Sequence, residues 1–161
     1  MDAGRGQNTA GGRRTWDFSS LLLAFLTGAL MAAAWGILSS SLGLEKLFPS
    51  QAQEEMFSRS LPVQLALYGV VSPVGEEILF RWLLYGLLGR FLPCRAAAVA
   101  TAALFALWHG NVLQMLYAFP AGLLLQALRI RSGGLLEPVS CHVGANLTAI
   151  LVTAIAGQIS I

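Results

Sequence analysis

Long apolar runs separated by short polar stretches organise this chain, with no sign of the period-2 alternation that marks a half-buried strand. The first run covers residues 18–43 and is broken only by small and hydroxyl residues. A polar stretch follows, "LEKLFPSQAQEEMFSRS", in which "FPS" predicts a turn and "QAQEEMF" a short surface helix. A second run spans 61–89, with Pro62 at a tolerated helix start and Arg90, Pro93 and Arg95 marking its end. Residues 96–130 are too long for one comfortable span and short for two, with Gly110-Asn111 and Pro120 as break points. The pattern is read as a helix over 96–116 and a short second one over 120–130, followed by a basic turn, "RIRSGGLLEP". A last run covers 138–161. A span needs about 20 apolar residues, so the expected architecture is all-α. It is a polytopic membrane bundle of about five spans with a broken or short helix after the third.

Composition supports that class. Of 161 residues, 56% are hydrophobic and 11% charged, against about 25% charged in a typical soluble domain. Too little polar surface remains to cover a water-soluble globule. The basic residues sit at segment ends, not in a stripe, which argues against a nucleic-acid partner. The partners expected are the lipid bilayer and a peptide or lipidated protein. Cys94 and Cys141 have neither metal-type nor disulfide-framework spacing. Residues 1–15 read as a disordered basic tail and 16–161 as the membrane domain. A signal peptide is the alternative for the first run, which is longer than the usual apolar core of one. With the N-terminus in the cytoplasm, five crossings put Arg5, Arg13, Arg14, Arg90, Arg95, Arg129 and Arg131 inside. Only Lys46 and Arg59 then fall outside. A cell-membrane location with the C-terminus outside follows.

Three residues of the second run, Glu76, Glu77 and Arg81, are expensive in lipid, at about 2.5–3.5 kcal/mol each at the bilayer centre. Glu77 and Arg81 are four apart and can pair on one helical face. Glu76 is rotated by about 100° from Glu77. Left without an intrahelical partner, it is expected to face another helix or water in a cavity. Both histidines of the chain lie in apolar segments, His109 in "LFALWHGN" and His142 in "SCHVGANLTAI". Asn146 shares a face with His142. Polar groups from three spans at comparable depth predict one shared cavity. Single members of such a set often serve only as interhelical hydrogen bonds. Glu137 reads as interfacial, and Trp16, Trp35, Trp82 and Tyr117 as belt or packing aromatics. Trp108 is read as packing beside His109.

A glutamate and a histidine can share a water, remove its proton and aim it at a carbonyl. A second histidine and an asparagine can donate hydrogen bonds to the resulting oxyanion. Peptide-bond hydrolysis suits the set. The rival chemistry is zinc-dependent, with Glu76, His109 and His142 as ligands, although H-E-x-x-H is absent. A proton-coupled transporter is a further alternative, but internal repeats are not evident.

"EEILFR" resembles the E-E-x-x-x-R motif of the CPBP family of intramembrane proteases, the CAAX proteases and bacteriocin-processing or self-immunity proteins also called Abi. "FALWH" resembles its F-x-x-x-H motif and "HVGAN" its H-x-x-x-N motif, in the same order. The resemblance covers residues 61–152 as the catalytic core. It implies a helical membrane fold with the site inside the bilayer. Glu76 and His109 would activate water, His142 and Asn146 would form the oxyanion site, and Glu77 and Arg81 would support Glu76. No metal is required on this reading, with zinc the alternative, and a non-enzymatic self-immunity or scaffold role is the rival to proteolysis. The chain is short for the family, with one span before the motifs, which implies a thinner wall around the cavity. A prokaryotic plasma membrane is expected, where a prenylated substrate is no safer an inference than another membrane or secreted peptide.

Overall fold

The computed structural model describes residues 17–159. The expected tail over residues 1–15 and Trp16 lie outside them. Seven helices follow in order: α1 Phe18–Ser41, α2 Leu44–Leu47, α3 Gln51–Phe57, α4 Leu61–Leu88, α5 Cys94–Trp108, α6 Val112–Ser132 and α7 Leu136–Ile159. No strand occurs among the described residues. α1, α4, α6 and α7 are long and apolar enough to cross a membrane. The chain is therefore a polytopic helical bundle, as its pattern predicts.

Sequence chemistry sets the helix ends. Asp17 caps α1 by accepting from the Ser19 amide at 3.3 Å, and Ser50 caps the surface helix α3 by accepting from Gln53 at 3.4 Å. One boundary differs from expectation. The chain breaks at Gly110–Asn111, and α6 then runs straight through Pro120. Gly110 takes φ 68°, a left-handed conformation open to glycine. The Asn111 side chain accepts from the Gln114 amide at 3.2 Å and starts α6. Its amide also donates to the carbonyls of Phe48 and Pro49, at 3.4 and 3.3 Å. Pro120 forfeits only one backbone bond, which a packed membrane helix tolerates. The short helix is consequently α5, the third of the five apolar helices, and not the segment after it. At 15 residues it is about 22 Å long, against about 30 Å of hydrocarbon.

α1 packs most extensively on α7, and small residues allow it. The buried face of α1 presents Ala24, Gly28 and Ala32. A Cβ on Gly28 would collide with the Cys141 carbonyl, and one on Gly144 with the Phe25 carbonyl. The obstacle is backbone on both sides, so neither helix can yield by changing a rotamer. Ser140 adds a hydrogen bond from its hydroxyl to the Leu21 carbonyl at 2.9 Å. Close approach of this kind drives helix association in lipid, where apolar burial alone does not. Gly28→Val is expected to destabilise by about 3 kcal/mol, the upper end of ordinary overpacking. Thermal unfolding in detergent measures this, with Gly36→Val as the control because space around Gly36 is open.

α4 is inverted relative to a helix of a soluble protein. Pro73, Glu77, Phe80 and Arg81 face inward, whereas Val71, Ile78, Trp82 and Leu83 face outward. Two wide-turn stretches, Gln64–Val71 and Ile78–Leu84, interrupt its regular winding. The first precedes Pro73, whose ring would clash with the carbonyl four residues back in a regular helix. The Ser72 amide there bonds to Leu67, five residues back. The Tyr68 carbonyl thereby loses its regular partner, and Pro73 has no N–H to replace it.

Candidate active site

The expensive charges of α4 lie at the centre of the bundle. Glu77 and Arg81 are both fully buried and pair at 3.2 Å between Oε2 and Nε. The other Glu77 oxygen, Oε1, lies 2.8 Å from Nδ1 of His142 on α7. Arg81 continues across the bundle. Its guanidinium carbon stands 4.2 Å from the ring centre of Phe105 on α5, within cation–π range. Nη2 donates to the Gly122 carbonyl of α6 at 3.4 Å. A Cβ on Gly122 would crowd α5, at 3.2 Å from both Ala102 and Phe105. One ion pair thus ties α4, α5, α6 and α7 together. The i, i+4 pairing is as the spacing predicts. The contact of Glu77 with His142 was not legible from spacing within α4.

Glu76 differs from its neighbour. Its side chain is 18% exposed, whereas that of Glu77 is closed to solvent. Oε2 lies 3.7 Å from His142 Nε2, too long for a direct hydrogen bond, and is buried without a hydrogen-bond partner. Oε1 accepts from the Ser72 hydroxyl at 2.6 Å. The expectation that Glu76 lacks an intrahelical partner is therefore corrected. Ser72, one turn earlier, supplies it, and the four-residue spacing was available in "SPVGE". The companion expectation, that Glu76 faces another helix, matches its position beside His142.

Partners assign the imidazole tautomers. A carbonyl can only accept, so His109 Nδ1, 2.8 Å from the Phe105 carbonyl, carries its hydrogen and leaves Nε2 with a lone pair in the neutral ring. His142 Nδ1 faces a carboxylate and likewise donates, which turns Nε2 toward Glu76. Phe105 stands between the two histidines, edge-on to each, with ring centres 4.9 Å from His109 and 5.7 Å from His142. Asn146 donates to the Tyr68 carbonyl at 2.9 Å, the oxygen orphaned by Pro73. One amide hydrogen of Asn146 remains for another acceptor.

A pocket of about 40 Å³ opens between these residues, lined by His109, His142 and Asn146. That is room for about three or four waters at about 10–15 Å³ each. Its remaining wall includes Met31 of α1, Phe105, Tyr117 and Cys141. α1 and Tyr117 were not among the candidate site residues. No pattern within α1 could have revealed Met31, because its place depends on how α1 docks. Tyr117, expected to be a belt or packing aromatic, contributes to the wall with Trp35 against it at 5.7 Å between ring centres. Glu137, expected at the interface, is 9% exposed and pairs with Arg131 at 2.6 Å. Trp108 is outward-facing, with its ring in an edge contact to Phe80.

The zinc set fits this geometry poorly. Among the described residues no three His, Cys, Asp or Glu side chains are grouped to hold a metal ion. A shared water tolerates wider donor spacing than the bonds of about 2 Å that zinc demands.

Comparison with known proteins now bears on this arrangement. An Escherichia coli protein, described as an uncharacterized 24.3 kDa protein, is 35% identical over 88 residues, which is 51% of this chain. The match covers 40% of that relative, so the chain spans well under its full length. No solved structure matches. The profile described as "Type II CAAX prenyl endopeptidase Rce1-like" matches residues 58–148. That segment runs from just before α4 into α7, holds every polar residue of the pocket's hydrogen-bonded centre, and shows that the chain belongs to the Rce1-like family of type II CAAX prenyl endopeptidases.

Proposed function

We propose that the protein is an intramembrane endopeptidase that hydrolyses a peptide bond in a membrane-associated protein or peptide, with a CAAX-type prenylated tail as the first substrate class to test. The observation that carries this reading is a partly exposed Glu76 whose buried Oε2, without a hydrogen-bond partner, lies 3.7 Å from Nε2 of His142, a residue in the wall of a water-sized pocket. Glu76 and His109 Nε2 hold a water between them and take its proton as its oxygen attacks the substrate carbonyl. Charge then develops on the carbonyl oxygen. His142, protonated at Nε2 and held through Nδ1 by Glu77, stabilises it together with the free amide hydrogen of Asn146. Collapse breaks the C–N bond, and the proton held by Glu76 passes to the leaving amine. Glu77 and Arg81 position His142 and do not touch substrate. This cycle needs no metal. The distribution of arginines between the helix ends supports a cell-membrane location with the N-terminus in the cytoplasm.

Purified protein in detergent tests the reading. It is expected to cleave a farnesylated peptide ending in Cys-aliphatic-aliphatic-X, or its unfarnesylated counterpart, and to keep its rate in excess chelator. Loss of activity in chelator with recovery on added zinc would replace the Glu/His mechanism by a metal-dependent one. Cleavage of neither peptide, with the fold intact, would favour a scaffold or self-immunity role.

A further inference from the structure

The family match begins at residue 58 and therefore excludes α1, yet α1 closes one side of the pocket. Met31 lines the pocket, and one turn further along α1 Trp35 packs against the Tyr117 ring. Tyr117, on α6, lines the same pocket as His109, His142 and Asn146. Its hydroxyl is buried and has no hydrogen-bond partner. A buried phenol hydroxyl ordinarily finds a partner, and leaving one unmade costs about 1–3 kcal/mol. An orphaned donor in the wall of a site is a cost that a bound acceptor removes.

We propose that Tyr117 is a substrate-contacting residue, its hydroxyl donating to a main-chain carbonyl of the bound peptide, and that Trp35 of α1 is the residue that positions it. The inference rests on the peptidase reading and deepens it by assigning part of substrate recognition to α1 and α6. Extended peptides present carbonyls on alternating sides. A donor on the wall can therefore hold a carbonyl next to the scissile one while His142 and Asn146 serve the reacting oxygen. The bond exists before and during reaction alike, so it contributes to binding and not to the chemical step.

Tyr117→Phe removes only the oxygen and keeps the ring against Trp35. With the farnesylated peptide, KM is expected to rise about three- to tenfold while kcat stays within about twofold, the effect of one neutral hydrogen bond. Trp35→Ala should raise KM by a similar factor. Adding it to Tyr117→Phe should cause little further loss, because both act through one bond. A binding arm separates this from the peptidase reading. The affinity of the same peptide, fluorescently labelled, is measured on Glu76→Gln protein with and without Tyr117→Phe, alongside thermal unfolding of each. Weaker binding at an unchanged unfolding temperature supports the contact even if cleavage is never detected. Equal affinity and equal KM overturn it and leave the role of Glu76 standing. Binding of neither peptide by well-folded Glu76→Gln protein overturns both.

Discussion

Replacing Glu76 by Gln is expected to lower kcat by about 10³-fold, within the 10²–10⁴ range that a positioned general base contributes, without unfolding the protein. The substitution is nearly isosteric. The Gln carbonyl oxygen can still accept from the Ser72 hydroxyl, which Oε1 does at 2.6 Å in the native protein. What disappears is the proton acceptor on the side of His142, where Oε2 has no hydrogen-bond partner. Substrate affinity should change little. The measurement is single-turnover cleavage in detergent, paired with thermal unfolding. His109→Ala should show a comparable loss if, as proposed, its Nε2 holds the same water. Their combination should cost far less than the product of the two, as with groups that act as a unit. Retention of more than a tenth of the native rate in Glu76→Gln would remove this carboxylate from the chemistry.

The second large effect is on stability. Arg81→Ala leaves Glu77 fully buried without its guanidinium partner and is expected to cost about 3–5 kcal/mol, the usual result of removing one partner of a buried pair. The loss of packing over Phe105 and of the contact to Gly122 acts in the same direction. Arg81→Lys should recover only part of this. A point charge on a flexible stem cannot stack on Phe105 while pairing with Glu77 and reaching α6. Removing both charges, as Glu77→Gln with Arg81→Met, should restore most of the stability, because a buried pair replaced by groups of similar shape is often neutral. Activity should stay low, since the Glu77 carboxylate that accepts from His142 Nδ1 and holds the ring in place is gone. Denaturant titration in mild detergent reads the first outcome and peptide cleavage the second. If the double variant is as unstable as Arg81→Ala alone, the uncompensated charge is not the cause.

The polar centre was largely legible in the primary structure because lipid makes it so costly. Charges in a spanning helix are tolerated only where they face protein or water. Glu76, Glu77, Arg81, His109, His142 and Asn146 could therefore be picked out, and helical spacing paired Glu77 with Arg81 correctly. The same logic correctly sent Glu76 toward a neighbouring helix. The partner it did not foresee is Ser72, one turn before Glu76 on α4. The misplaced break in the third apolar region has a different origin. Gly110-Asn111 and Pro120 compete as local signals, and proline is the stronger breaker in water. In a packed membrane helix Pro120 is tolerated, whereas the glycine turn and the asparagine cap act together at the other site.

Composition and periodicity determined by themselves that this is a helical membrane protein. Motif order and spacing identified the family and the six polar residues of the centre. Tertiary structure alone decided that Glu77 grips His142, that Asn146 takes the carbonyl that Pro73 leaves orphaned on Tyr68, that α1 lines the pocket through Met31, and that Trp35 stands behind Tyr117. The division has one physical cause. The cost of a charge in lipid and the spacing of residues on a helix are local, and any window of sequence reports them. Which faces of two helices meet depends on the close fit of Gly28 to Cys141 and of Gly144 to Phe25, a property of both surfaces at once that neither segment carries alone.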